Sequence, residues 1–171
     1  PLSLSLYTPA LPTLVGAFGT TPAAVKLSLT VYFLGFCFAQ LLCGPLSDAY
    51  GRRPVALVFF SIYFVGSAVA LFAPTIELLQ VGRGLQGVGA AAGISTSRAI
   101  VRDLFVGQTS ARIMNRIGLL VGLVPAFSPA VGSILLTVAH WRTIFVLMFV
   151  YAVVVVAIVY FVLPETNTTA E

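Results

Sequence analysis

Charged residues are scarce in this chain of 171 residues. Aspartate, glutamate, lysine and arginine make up 8% of it, whereas hydrophobic residues make up 59%. A soluble domain carries about 25% charged residues, so the composition indicates a protein that lies within a lipid bilayer. The net charge of +4 would suggest a nucleic-acid partner only in a soluble protein. We therefore expect the lipid bilayer as a partner and no nucleic acid.

Histidine and cysteine are also scarce. The chain has one histidine, His140, and two cysteines, Cys37 and Cys43, which are six residues apart and so do not share a helical face. We expect no metal site, no disulfide and no cofactor from so few ligands. His140 falls in a predicted turn beside a tryptophan, which makes it a poor base for an intramembrane serine protease, and we expect no enzymatic activity.

Charged residues and His140 divide the chain into six long apolar intervals. Each holds about 20 residues or more, enough for one helix to cross a hydrocarbon core about 30 Å thick. The sequence therefore predicts an all-α membrane protein with six transmembrane helices. The predicted spans are residues 1–17, 25–46, 54–73, 77–97, 115–138 and 143–163. The longest polar segment, residues 98–116, is predicted to connect the fourth and fifth spans on the cytoplasmic side. It could lie along the membrane surface as an amphipathic segment.

The distribution of basic residues predicts the orientation. The predicted loops on one side hold Arg52, Arg53, Arg98, Arg102, Arg112 and Arg116, and those on the other side hold Lys26 and Arg142. Arginine-rich loops face the cytoplasm, so both termini are expected there. The chain opens at Pro1 without a methionine, which indicates that the natural N-terminus is missing. A signal peptide is disfavoured because the first interval has no basic region and contains Pro9 and Pro12.

Arg83 lies inside the fourth predicted span. A charged guanidinium at membrane depth costs several kcal/mol, from roughly 2.5 upward, so it is kept where it faces a bundle interior or a watery cavity. Helical periodicity places Gln86, Gly87 and Ala90 on the same face. A cation and an amide beside small residues make this stripe a candidate functional site.

The loop between the second and third spans is short and carries a distinctive set of residues. It reads Gly44-Pro45-Leu46-Ser47-Asp48-Ala49-Tyr50-Gly51-Arg52-Arg53-Pro54. Gly51 permits a tight turn, and Asp48 could pair with Arg52 or Arg53 or cap a helix N-terminus. The alternative is that the two arginines serve only as positive-inside anchors.

Two motifs resemble those of the major facilitator superfamily. Gly44-x-x-x-Asp48-x-x-Gly51-Arg52-Arg53 resembles the signature loop between its second and third helices, and Arg83-x-x-Gln86-Gly87-x-Gly89 resembles the fourth-helix motif of its drug:proton antiporters. Further matches are Tyr7-x-Pro9-Ala10-Leu11-Pro12, Gln40, Trp141-Arg142-x-x-Phe145 and Pro164-Glu165-Thr166. The chain looks most like the bicyclomycin and chloramphenicol efflux branch. The resemblance implies the N-terminal half, a 3+3 inverted repeat, of a twelve-helix transporter whose C-terminal half is missing.

The resemblance also implies a function. We expect efflux of small, partly apolar drugs across the inner membrane, driven by protons, with the two halves rocking in alternating access. The alternative is an importer of sugars or other metabolites, because the fold does not set the direction. A six-helix channel or scaffold is disfavoured, since it has no need of a buried arginine beside glycines. Arg83, Gln86, Tyr7 and Tyr32 are expected to face the cavity, although the two tyrosines could equally be packing residues.

Other residues have conformational roles in this interpretation. The expected gate is Gly44, Asp48, Gly51, Arg52 and Arg53, with Asp103 as partner of one arginine and Asp48 contacting the missing half. The expected packing and kink residues are Gly87, Gly89, Gly118, Gly122, Pro125 and Pro129. The glycines and prolines of the fifth span fit either ordinary packing or the bent fifth helix of the family's antiporters.

The sequence departs from the family pattern in two places. Ala49 stands where a basic residue usually follows the loop aspartate, and Ser5-Leu6 stand where the branch commonly has an acid before Tyr7. The carboxylates are Asp48, Glu77, Asp103, Glu165 and Glu171, all at or beyond the ends of predicted spans. The titrating acid of a proton-driven cycle is therefore expected in the missing half, or else at Glu77.

Overall fold

The computed structural model describes residues 2–166, and over these residues the chain is helical between short turns. The expected tail at 167–171 and the terminal Pro1 lie outside the described residues. The helices are α1 (Leu2–Tyr7), a 3-10 turn (Thr8–Ala10), α2 (Leu11–Phe18), α3 (Pro22–Tyr50), α4 (Arg52–Leu71), α5 (Ile76–Leu104), α6 (Gly107–Val138) and α7 (Arg142–Phe161). The first three follow one another without a gap, so the described chain forms six helical segments.

Two prolines interrupt the first segment. Pro9 lies in the 3-10 turn and Pro12 in the first turn of α2, where the missing proline N–H breaks the regular hydrogen-bond ladder. The segment ends at Gly19, whose φ of 56° is left-handed. Thr21 then caps α3 by accepting a hydrogen bond from the Ala24 amide at 3.3 Å, with Pro22 as the first helical residue.

Among the described residues, four helices are long and apolar enough to cross a membrane: α3, α4, α6 up to Thr137, and α7. The interrupted first segment has no continuous helix of that length, and α5 carries Glu77, Arg83 and Gln86 along its course. The all-helical membrane fold expected from the sequence is confirmed.

Helix α5 lies at the centre of the bundle, in contact with α3 on one side and α4 on the other. Glycines allow this close approach. A Cβ added at Gly87 would lie 2.1 Å from the carbonyl oxygen of Tyr32 on α3, and one at Gly89 would lie 2.4 Å from that of Phe59 on α4. Real side chains do not fit at such distances, so the two glycines hold α5 against both neighbours.

The connections are shorter than the sequence predicts. Helix α3 continues through Pro45 to Tyr50, so that Gly51 alone separates it from α4. Residues 98–116, the predicted connector, are helical except at Phe105 and Val106, because α5 extends to Leu104 and α6 begins at Gly107. Helices can extend beyond the hydrocarbon core, where their arginine side chains reach water, so a position of this segment outside the membrane stays a prediction.

The first two glycines of the fifth span face open space within the described residues. No atom of a described residue outside their own helix lies within 4 Å of a Cβ added at Gly118 or Gly122, so ordinary close packing within this half is not found there, and a bent helix at the interface of the halves stays a prediction. Both border an open groove of about 580 Å³ on α6. Pro125 and Pro129 lie inside the helix, which continues through them.

Trp141 is more buried than a residue of the membrane interface. Only 6% of its surface is exposed, and its ring lies 5.3 Å from that of Phe18 and 5.9 Å from that of Phe145. The neighbouring His140 remains exposed. This aromatic group joins the end of α2 to the start of α7.

Candidate functional site

Arg83 and Gln86 occupy the bundle interior and are joined by a hydrogen bond. Both residues have 0% exposed surface. Nη1 of Arg83 donates to Oε1 of Gln86 at 2.7 Å, and Nε2 of Gln86 donates to Oγ of Ser67 at 2.9 Å. Ser67 in turn donates to the carbonyl oxygen of Tyr63 at 2.8 Å. The chain of donors runs from the guanidinium on α5 to the backbone of α4 and fixes the orientation of the amide.

Two tyrosine rings enclose the Arg83 guanidinium. Its Cζ atom lies 4.3 Å from the ring centroid of Tyr7 on α1 and 4.5 Å from that of Tyr32 on α3. Such contacts contribute about 2 kcal/mol or more when they are shielded from water. Ser28 donates to the carbonyl oxygen of Val25, so the Tyr7 hydroxyl must be the donor in its 2.7 Å hydrogen bond to Ser28.

The charge of Arg83 has no acidic partner in the described part of the chain. The ion pairs found there both belong to Arg52. Nη1 also lies 3.9 Å from Sδ of Met148, a weak acceptor, whereas Nε and Nη2 are buried without any hydrogen-bond acceptor. Buried donors are normally paired, so a buried guanidinium with two unpaired nitrogens, which together carry three N–H groups, is an incomplete site.

The structure brings together the four residues that the sequence singled out for the cavity. Arg83, Gln86, Tyr7 and Tyr32 form one cluster from three helices, but side chains enclose all four, and none lies on an open wall. Sequence reasoning missed Ser28, Ser67 and Met148. The two serines had only a weak signal, because each is one of several hydroxyl residues in a mostly apolar span.

A second cluster lies at the arginine-rich end of the bundle, the end that carries Arg52, Arg53, Arg98 and Arg102. Arg52 donates through Nε to Oδ2 of Asp103 at 2.9 Å, and through Nη1 to Oγ of Ser47 at 3.1 Å and to Oδ1 of Asp48. Asp103 therefore pairs with Arg52, which joins α5 to the start of α4. Arg53 instead donates through Nη2 to the carbonyl oxygen of Tyr160 on α7 at 2.8 Å.

Glu165 caps helix α4, a role the sequence did not reveal. Its carboxylate accepts from the backbone amides of Arg52 at 2.9 Å and Arg53 at 3.1 Å, the two first residues of that helix. A carboxylate at a helix N-terminus satisfies free N–H groups and interacts favourably with the helix dipole. The only sequence signal was the Pro164-Glu165-Thr166 match, because the capping residue lies 113 positions from Arg52.

The chain belongs to the Major Facilitator Superfamily, whose family model matches residues 1–171. Curated relatives include an uncharacterized transporter of Rickettsia felis, 33% identical over 98% of this chain and 42% of the relative. A chloramphenicol resistance protein of Pseudomonas aeruginosa is 34% identical over 97% of this chain and 40% of its own length. The multidrug resistance protein MdtL of Escherichia coli O81 is 27% identical over 99% and 44%.

These relatives resolve the architecture. The chain spans about two fifths of the length of each, as expected for an N-terminal half of the twelve-helix fold. A solved structure, the human organic anion transporter MFSD10, superposes on 96% of this chain and 44% of its own, with a TM-score of 0.73 and 21% identity. The predicted family and half-transporter fold are confirmed, and the chain is a multi-pass membrane protein of a transporter family.

Proposed function

We propose that this chain forms half of a proton-coupled exporter of small, partly apolar molecules that works by alternating access. Support comes from relatives named for chloramphenicol, bicyclomycin and multidrug resistance. In this proposal the protein lies in the inner membrane, and the arginine-rich end faces the cytoplasm because basic loops are retained there. Both termini lie on that side.

The observation that carries the proposal is the unpaired charge of Arg83. Its Nε and Nη2 groups are buried without acceptors, and two tyrosine faces and one amide oxygen are its main partners. A buried cation of this kind is completed by a carboxylate, and a carboxylate that alternates between pairing with Arg83 and holding a proton would couple transport to protons. We assign that carboxylate to the other half.

Substrate binding would share this cluster. The cation-π pair formed with Tyr7 and Tyr32 holds the guanidinium in one orientation, and Gln86 fixes its Nη1. In this proposal the enclosing side chains part during the transport cycle, and the three N–H groups on Nε and Nη2 then bind the substrate or the coupling acid. Asp48, Gly51, Arg52 and Arg53 would act separately, as the gate at the cytoplasmic side.

Export by the transporter that contains this chain tests the proposal. Inverted membrane vesicles that contain the transporter would be energised with a proton gradient, and their uptake of chloramphenicol, the probe, would be measured. We expect Arg83→Ala to lower uptake by 100-fold or more, on the order of the loss of a buried charge interaction. Arg83→Lys should also be impaired, since an ammonium lacks the planar fork that fits between two rings. Arg116→Ala removes an exposed arginine of α6 and is the matched control.

The same vesicles separate export from import. Accumulation in inverted vesicles indicates export, whereas accumulation only in right-side-out vesicles indicates the importer alternative. Full activity of Arg83→Ala at normal membrane abundance would refute a role for this cluster in transport.

A further inference from the structure

A polar cavity of about 300 Å³ lies between α3 and α5 at the arginine-rich end. Three arginines line it, Arg52, Arg98 and Arg102, together with Asp48 and Asp103. Arg98 is 15 positions from Arg83, or about 22 Å along the helix at 1.5 Å per residue, so the cavity is separate from the buried cluster.

The arginines of this cavity are not equally paired. Arg52 holds both acids, with hydrogen bonds to Asp103 and Asp48. Neither the Arg98 nor the Arg102 side chain makes a hydrogen bond or an ion pair with any residue from 2 to 166. They are four residues apart on α5, so their side chains lie on one face about 6 Å apart along the axis. Two guanidinium groups on one wall thus remain available to an anion.

The depth of the cavity indicates the source of an anion. Helix α5 begins at Ile76, and Arg98 follows 22 positions later, which is about 33 Å along the helix. With Ile76 placed at the opposite face of a hydrocarbon core about 30 Å thick, Arg98 and Arg102 reach the level of the lipid headgroups. Phosphate is the anion of that layer, and the forked guanidinium matches its geometry.

The side-chain oxygen of Gln40 needs a hydrogen-bond donor from a ligand. Its Oε1 atom is buried without a hydrogen-bond partner, and the residue lines the same cavity. We propose that the cavity between α3 and α5 binds a glycerol phosphate group through Arg98 and Arg102, with a ligand hydroxyl donating to Gln40. The group belongs either to the headgroup of an anionic lipid or to a free phosphate ester. The two aspartates do not exclude an anion, because Arg52 engages both of them and the three arginines leave the lining with one net positive charge.

Native mass spectrometry of the purified, delipidated transporter tests this site. Phosphatidylglycerol and phosphatidylcholine with the same acyl chains would be titrated separately, and we expect phosphatidylglycerol to bind about tenfold more tightly, as charge-assisted hydrogen bonds predict. The double variant Arg98→Gln/Arg102→Gln should lose this preference. Arg112→Gln/Arg116→Gln is the matched control, since it removes two exposed arginines with the same spacing from α6, outside the cavity.

Each outcome decides the inference. An equal loss in both double variants would mean that the arginines attract anionic lipid only by general charge, and equal affinity for the two lipids would likewise overturn the site. Displacement of the lipid by glycerol 3-phosphate at comparable concentration would identify a free phosphate ester as the ligand. Gln40→Leu should weaken binding by roughly threefold, and an unchanged affinity would overturn the hydroxyl contact. Phosphatidylcholine binding in every variant serves as the folding control.

Discussion

The carboxylate of Glu165 occupies the space that a side chain at Gly51 would fill. A Cβ added at Gly51 would lie 2.7 Å from Oε2 of Glu165, and the same carboxylate accepts the amides of Arg52 and Arg53. Gly51 also has φ 97° and ψ 156°, a conformation open essentially to glycine alone. The junction of α3 and α4 and the segment after α7 are therefore held together by a contact that requires glycine.

Gly51→Ala should destabilise the protein for two reasons. The backbone conformation costs about 1–3 kcal/mol for a residue with a side chain, and the methyl group displaces the capping carboxylate. We expect a lower melting temperature in detergent. Gly16→Ala is the control, because no atom of residues 2–166 outside its own helix lies within 4 Å of the added Cβ, and it should be neutral or stabilising.

Combining Gly51→Ala with Glu165→Ala separates the two effects. Loss of the cap alone should cost about 0.5–2 kcal/mol. In the double variant the clash is absent, so its destabilisation should be smaller than the sum of the two single variants. Strict additivity of the melting shifts would show that the two residues do not act on one another.

Gly89→Ala should weaken the contact between α5 and α4. The added Cβ would lie 2.4 Å from both the carbonyl oxygen of Phe59 and the amide nitrogen of Tyr63, so the helices must separate. Overpacking of this kind costs about 1–3 kcal/mol. Gly118→Ala is the matched control, because it adds the same methyl group to open space. A melting temperature equal to that of the Gly118→Ala variant would refute the close packing of α5.

Asp48→Asn should alter the conformational equilibrium more than substrate affinity. It removes the charge paired with Arg52 while the Asp103 pair remains. The Asp48 side chain is 69% exposed, and exposed pairs contribute about 0.2–1 kcal/mol, so the inward-facing population should rise by up to about fivefold. Labelling of cysteines on the cytoplasmic cavity wall measures this population. Asp48→Glu is the matched control, because it retains the charge. Identical cysteine labelling in the Asp48→Asn and Asp48→Glu variants would contradict a role of the Asp48 charge in the gate.

The sequence by itself determined the class of the protein and several residues of each cluster. Low charge and six apolar intervals required a helical membrane fold, because a backbone in lipid must satisfy its own hydrogen bonds. The cost of a buried charge singled out Arg83, and the helical period placed Gln86 beside it. The loop motif likewise offered Asp48 as a partner of Arg52 or Arg53.

Only the tertiary structure decided which helices meet. Periodicity tells which residues share a face but not what that face contacts. The sequence could therefore propose Tyr7 and Tyr32 for the site, but only the structure shows that their rings enclose Arg83. It also could not show that Asp103 pairs with Arg52, or that Glu165 caps α4. These contacts join positions 51 and 113 residues apart, and only the packing of whole helices brings them within hydrogen-bonding distance.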